Sequence, residues 1–304
     1  MNTTTSASRT LVITAFAIVY IVWGSTYLAI RVAVETMPPF LLAAVRFLVA
    51  GTAMFGWLRL RGMPGPDRRQ WLHVAIAGVL MLLGGNGLVV WAEQTVSSSV
   101  AALLVALTPV WFALLDWKRP GGSRPAGRTL VGVGVGFGGV ALLVTGRGGS
   151  GVTVANDPWG VGAVILAGFC WAAGSLWSRY NVKPESPWMN AAAQMMSGGV
   201  ALLAASLMRG EPEGFHLAQV SAQSWLAFGY LIVFGSLIGF SAYVWLLKVS
   251  TPARVATYAY VNPMIAVLLG SLILGEPFGA RAGWGAAIIL AGVVITTLPR
   301  RAER

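Results

Sequence analysis

Ten apolar stretches of 18 to 25 residues run along this chain, near residues 11–34, 39–60, 70–92, 98–117, 129–146, 158–180, 187–208, 224–248, 253–274 and 281–298. At 1.5 Å per residue, each reaches across a hydrocarbon core about 30 Å thick. Lipid offers no water to backbone polar groups, so a span must be a helix or a strand of a closed barrel. These runs are continuous rather than alternating, which selects helices. Composition agrees, since 56% of the 304 residues are hydrophobic and 10% are charged, against roughly 25% charged in a soluble domain. The expected fold is all-α, a polytopic membrane protein with ten transmembrane helices.

A net charge of +11 would point to nucleic acid in a soluble chain; in this one it reads as topology, because Lys and Arg in short loops stay on the cytoplasmic side. With the N-terminus inside, the cytoplasmic segments hold sixteen of the 21 basic residues, among them Arg59, Arg61, Arg68 and Arg69, and Lys118, Arg119, Arg124 and Arg128. The outer segments hold four, Arg31, Arg147, Arg209 and Arg281, and Arg46 falls inside a span. Both termini are therefore expected in the cytoplasm. Arg9 and the sequence Ala15-Phe16-Ala17 imitate a secretory signal, but the apolar run outlasts a signal core of about 7–15 residues, so it reads as a retained helix. The single cysteine, Cys170, has no disulfide partner.

The chain repeats itself. A shift of 148 residues superposes Trp23 on Trp171, Arg31 on Arg179, Pro39 on Pro187 and Gly51 on Gly199, and a shift of 154 superposes Trp71 on Trp225, Gly85 on Gly239, Trp91 on Trp245, Pro109 on Pro263 and Gly138 on Gly292. Five helices per repeat is an odd number, so the halves, residues 1–153 and 154–304, are expected to cross the membrane in opposite senses, the inverted-repeat arrangement of secondary transporters.

The motifs that punctuate the spans are Trp23-Gly24-Ser25-Thr26-Tyr27, Arg46-Phe47, Gly85-Asn86-Gly87 followed by Trp91-Ala92-Glu93, Thr108-Pro109, and Tyr258-Ala259-Tyr260-Val261-Asn262-Pro263, closed by Leu274-Gly275-Glu276. In this order, from about residue 11 to 298, they resemble the EamA-type transporters of the drug/metabolite transporter superfamily. The resemblance implies an exporter of the inner (plasma) membrane with a central cavity, in a family whose characterised members export amino acids and related small metabolites, some preferring aromatic ones. One departure is that the first repeat ends in Leu115-Asp116-Trp117 where the second ends in Gly-Glu.

A transport pathway is expected near the midplane, where the repeats meet. Thr108-Pro109 and Asn262-Pro263 both fall there, and each proline frees a carbonyl four residues earlier, that of Val105 or Ala259. Such helix breaks read as a polar lining or hinge, or as plain kinks. Tyr258 and Asn262 share one helix face at i, i+4. Trp23 and Trp171 lie at mid-depth, where each indole N–H needs a partner in the bundle and each ring can meet a substrate or its ammonium group. Trp57, Trp71, Trp117, Trp159, Trp188, Trp225 and Trp284 sit at span ends and read as an interfacial belt. Asn86, between two glycines, needs partners for both ends of its amide. Arg46 is either a carboxylate attractor or a residue that snorkels outward or pairs with Glu35 or Glu93.

Other chemistries lack their residues. Gly134-Val135-Gly136-Phe137-Gly138-Gly139 satisfies a dinucleotide-binding pattern, but inside a span it reads as small-residue packing through Gly132/Gly136 and Gly134/Gly138. His73 and His216 are misplaced for a nucleophile's base or a proton relay, and there is no H-E-x-x-H or G-x-S-x-G motif. The chain is read as a non-enzyme with no cofactor or metal, its partners the bilayer and a small-molecule substrate, without nucleic acid; oligomeric state is not legible. With no carboxylate at mid-depth, facilitated or exchange transport ranks level with or above proton antiport. A proton-coupled exporter of cationic drugs is the competing reading, and a membrane assembly protein a more distant one.

Overall fold

The computed structural model describes residues 8–119, 121–122, 127–144, 157–275 and 279–297, and among them every regular element is helical. The helices are α1 (Arg9–Ala33), α2 (Pro39–Leu60), α3 (Arg68–Ala92), α4 (Ser98–Lys118), α5 (Gly127–Val144), α6 (Pro158–Tyr180), α7 (Pro187–Met208), α8 (Ala222–Val249), α9 (Tyr258–Leu274) and α10 (Ala280–Thr297). Seven of them, α1–α4 and α6–α8, are long and apolar enough to cross a membrane, while α5, α9 and α10 are apolar over shorter stretches. The expected boundary at 153/154, the loop residue Arg124 and the terminal acid Glu276 lie outside the described residues.

Local chemistry sets the helix starts. Asp67 and Gln70 form a reciprocal capping box at α3, and Ser97, Asp157, Ser186 and Ser221 each accept a first-turn N–H. Prolines stand in the first turn of α2, α6 and α7, where their missing N–H costs nothing. The interiors are less regular than ten plain rods. α3 is π-helical over Val79–Gly87 and α8 over Leu231–Phe240. α4 breaks at residues 106–107, between Ser98–Val105 and Thr108–Lys118, and α9 follows a separate turn, Pro252–Val255.

Packing follows the sequence offsets. α2 lies along α7, α5 along α10, α1 along α9 and α3 along α6. A Cβ on Gly51 would come within 2.9 Å of the Met196 nitrogen, and one on its counterpart Gly199 within 3.1 Å of the Leu48 nitrogen, so each glycine admits the other's helix backbone. α5 meets α10 through Gly132 and Gly136, which crowd Gly292, whereas Gly134 and Gly138 face open space. The expected packing stripe is thus one-sided. Arg31 Nη1 donates to the Glu93 and Gln94 carbonyls (2.6 and 2.9 Å) at the end of α3, and Arg179 Nη1 donates to the Leu247 and Ser250 carbonyls (both 2.6 Å) at the end of α8. Matched arginines do matched work, satisfying terminal carbonyls and opposing the negative end of the helix dipole. Trp57, Trp117, Trp159, Trp188, Trp225 and Trp284 are exposed, as a lipid-interface belt would be.

Candidate functional site

Four aromatic rings from four helices meet at the bundle centre. Trp23 (α1) packs edge-on to Trp171 (α6) at 5.3 Å between centroids and to Tyr258 (α9) at 5.4 Å; Tyr243 (α8) lies 4.9 Å from Trp23 and 5.3 Å from Trp171. Each such pair contributes about 0.5–1.5 kcal/mol beyond buried area. Both indoles find the partners that burial demands. Trp23 Nε1 donates to the Gly235 carbonyl (3.2 Å) in the π-helical part of α8, and Trp171 Nε1 donates to the Tyr243 hydroxyl (3.0 Å), which also bonds Ser175 Oγ (2.8 Å).

Glycines make the approach possible. A Cβ at Gly85 would fall 2.8 Å from Trp171 Cε3, and one at Gly239 would fall 2.6 Å from Trp23 Nε1. Trp23 with Gly239, and Trp171 with Gly85, are the same pair under the two offsets.

On the Arg31 and Glu93 side of this cluster lies a partly open cavity of about 630 Å³, mouth included. Its lining climbs α1 from Trp23 to Ile30 and α3 from Gly85 to Val89, and the aromatic cluster closes its other end. Of the residues singled out in the sequence, Trp23, Arg46, Asn86, Thr108, Trp171 and Tyr258 all line it.

Arg46 is 3% exposed and points into the bundle rather than snorkelling. Its Nε donates to Ser236 Oγ (2.7 Å), its guanidinium lies 4.6 Å from the Phe47 ring, and Nη1 has no hydrogen-bond partner in the protein. The contacts of Arg46 thus run to Ser236 and Phe47 on the inner side of the bundle. Asn86 Oδ1 is likewise buried without a partner. One cavity therefore holds an unsatisfied cationic donor and an unsatisfied amide acceptor. Leaving such groups dry and unpaired costs about 1–3 kcal/mol each, more for a charge.

Of the helix-break residues, Thr108 lines the cavity and Pro109, Asn262 and Pro263 are not among its lining. Thr108 Oγ1 donates to the Val105 carbonyl (2.6 Å), the one Pro109 frees, so that carbonyl is satisfied locally. Pro109 opens the second segment of α4, while Pro263 is inside α9. Asn262 is buried beside the cluster but not on the cavity wall; in the amide orientation that satisfies it, Nδ2 donates to the Tyr20 and Tyr258 carbonyls (3.0 and 3.1 Å). Tyr20 OH also bonds Thr257 Oγ1 (2.6 Å), so α1 is tied to the start of α9 beneath the aromatic rings. Tyr27 and Phe47, read in the sequence only as members of their motifs, also build the site, as do Gly168, Gly235, Ser236, Phe240 and Tyr243, which sequence reading did not single out.

The sequence profile of the EamA-like transporter family matches residues 10–145 and 158–298. The chain belongs to that family. This EamA-family chain is 38% identical over 280 residues to the uncharacterized inner membrane transporter YedA of Escherichia coli (strain K12), covering 92% of this chain and 88% of YedA. It is 28% identical over 294 residues to a probable terminal-alkyne amino-acid exporter of Streptantibioticus cattleyicolor, covering 95% of each. A solved crystal structure with 19% identity aligns over 97% of this chain and 100% of its own with a TM-score of 0.68, which shows a common fold alone. The EamA-family chain is thus a multi-pass membrane transporter and not an enzyme.

Proposed function

We propose that this transporter exports amino acids and related small amphoteric metabolites across the inner membrane by alternating access. In this reading ten helices span the bilayer as two inverted repeats, residues 1–153 and 154–304, with both termini in the cytoplasm. The matched arginine clamps, tryptophan–glycine pairs and π-helical stretches support the repeat, and the name of the E. coli relative supports the location. The sixteen-to-four distribution of basic residues supports the orientation, under which the central cavity lies on the outer side of the aromatic cluster.

The observation that carries the substrate class is the pairing of opposite needs in one cavity. Arg46 Nη1 lacks an acceptor and Asn86 Oδ1 lacks a donor. A carboxylate suits the first and an ammonium group suits the second, while an apolar or aromatic side chain suits the rings of Trp23, Trp171 and Tyr258. The amino-acid exporter among the relatives agrees with this class. The aromatic rings alone would also accept a quaternary ammonium drug, but the fixed charge of Arg46 opposes a lone cation.

Counterflow of labelled amino acids into proteoliposomes tests the reading. Expected are exchange without an imposed proton gradient, and strong loss of flux in Arg46→Gln and Asn86→Leu, with a smaller loss in Trp171→Ala, at unchanged yield of folded protein. Absence of counterflow with every amino acid overturns the substrate class, and uptake of a quaternary ammonium compound instead promotes the drug reading. Uphill accumulation driven by a pH gradient overturns facilitated transport.

A further inference from the structure

A second cavity, of about 730 Å³ with its mouth, lies at the opposite end of the bundle, between the end of α6, the start of α7 and the end of α8. Ser178, Arg179, Lys183, Asn190 and Lys248 line it, and no carboxylate side chain does among the described residues. Each cation has a backbone carbonyl. Arg179 holds those of Leu247 and Ser250, Lys183 Nζ donates to the Arg179 carbonyl, and Lys248 Nζ donates to the Glu185 carbonyl (2.7 Å). Carbonyls satisfy donors but cancel no net charge. Partial burial first, and the nearby Arg179 and Lys248 second, hold the Lys183 ammonium below the usual lysine range.

Capping the end of α8 does not require this concentration. Arg31 caps α3 in the same way, yet the positions equivalent to Lys183 and Lys248 under the two offsets are Glu35 and Gln94. The two lysines are therefore additional to the clamp. Around the cavity, Tyr180 on its wall and Trp188 one residue beyond the lining Pro187 are 44% and 41% exposed, as aromatic residues at headgroup depth are.

We propose that this cavity binds a phosphate-type anion through Arg179, Lys183 and Lys248, supplied by the headgroup of an anionic phospholipid in the adjoining leaflet. The flanking aromatics favour the lipid over a soluble phosphate, and the site stands whichever solute the central cavity carries.

The test measures thermal unfolding of the purified full-length protein in neutral detergent, titrated with phosphatidylglycerol, with phosphatidylcholine, or with inorganic phosphate against chloride at equal ionic strength. Phosphatidylglycerol is expected to raise the midpoint by several degrees where phosphatidylcholine does not. The double variant Lys183→Gln/Lys248→Gln is expected to weaken that response by about tenfold or more in lipid concentration. Arg59→Gln/Arg61→Gln, which removes as much charge elsewhere, is expected to leave it intact. Should the double variant not fold, the exposed Lys248→Gln alone carries the comparison. A matching response to millimolar inorganic phosphate, lost in the same variant, supports the anion site and assigns it to a soluble ligand. Equal responses to both lipids with none to phosphate overturn the proposal, as does a double variant that responds like the wild type or a control pair that loses the response.

Discussion

Gly235 and Gly239, one helical turn apart on α8, face different neighbours, and their substitution separates folding from transport. A Cβ at Gly239 would press on the Trp23 ring, which three other rings hold in place. Gly239→Ala is therefore expected to destabilise by about 1–3 kcal/mol, the usual cost of overpacking, read as a lower unfolding midpoint. A Cβ at Gly235 would meet Arg46 Nη2 at 2.8 Å and Thr26 Cγ2 at 3.2 Å. The guanidinium is the far end of a flexible side chain and can yield, so Gly235→Ala is expected to keep most of its stability while losing flux of carboxylate-bearing solutes. If both variants melt alike and transport alike, Arg46 does not act as a placed charge. Arg46 and Asn86 were legible in the sequence because polar groups inside an apolar run are expensive, and the two tryptophans because their N–H groups demand partners. Tyr243 and Ser236 gave no such signal. Their orientation depends on a π-helical stretch that shifts the helix face relative to a 3.6-residue period.

Elements are joined at their ends by a few polar contacts whose loss can be measured. Removing either arginine clamp leaves two terminal carbonyls short of a charged donor. Arg31→Ala and Arg179→Ala are each expected to cost about 1–2 kcal/mol, and similar midpoint losses in the two would match their equivalent roles. Asp157 starts α6 and accepts from Thr95 Oγ1 and the Gly160 N–H, contacts that hold its carboxyl below the ordinary value. A lowered native pKa stabilises the fold at pH values above the unfolded value of about 3.9, and the contribution fades as pH falls through the native value. Wild type is thus expected to lose stability relative to Asp157→Asn as pH drops below about 4, in unfolding scans run from neutral to acid. A constant difference across that range would remove the charge from the account. The caps and starting prolines of α2, α3, α6 and α7 are local features, and the two proline breaks were read from the sequence, but what each proline does to its helix was not. Pro109 follows the break in α4, where Thr108 Oγ1 donates to the freed Val105 carbonyl, but Pro263 lies inside α9.

At the scale of the molecule, the two repeats are tied unequally at equivalent positions. Tyr20 ties α1 to Thr257, and Asn262 holds the Tyr20 carbonyl, below the aromatic rings. Under the same offsets the counterpart of Tyr20 is Gly168, which lines the central cavity. Glycine has no side chain to make the equivalent tie on the Arg31 side of the rings. Thr257→Val removes the Tyr20 tie along with a local bond to the Arg254 carbonyl; the tie, at about 1 kcal/mol, shifts a two-state equilibrium about fivefold toward opening at the tied end. Faster thiol labelling of Ser178→Cys in a Cys170→Ser background is the expected readout, and an unchanged labelling rate would show that this tie does not hold the closed end.

The sequence by itself determined the class of molecule. Continuous apolar runs permit only helices in lipid, and two constant offsets relate residues that make matching contacts across the bundle. It also nominated six residues that the fold brings to one cavity. Only the tertiary structure decided that Arg46 turns inward to Ser236, that Asn262 braces α1 instead of lining the cavity, and that Arg179, Lys183 and Lys248 converge around a second one. The reason is physical. The cost of burying a polar group is a property of the residue and its depth, but the partner that offsets the cost comes from another helix, whose facing side depends on kinks, π-helical stretches and packing across the whole bundle.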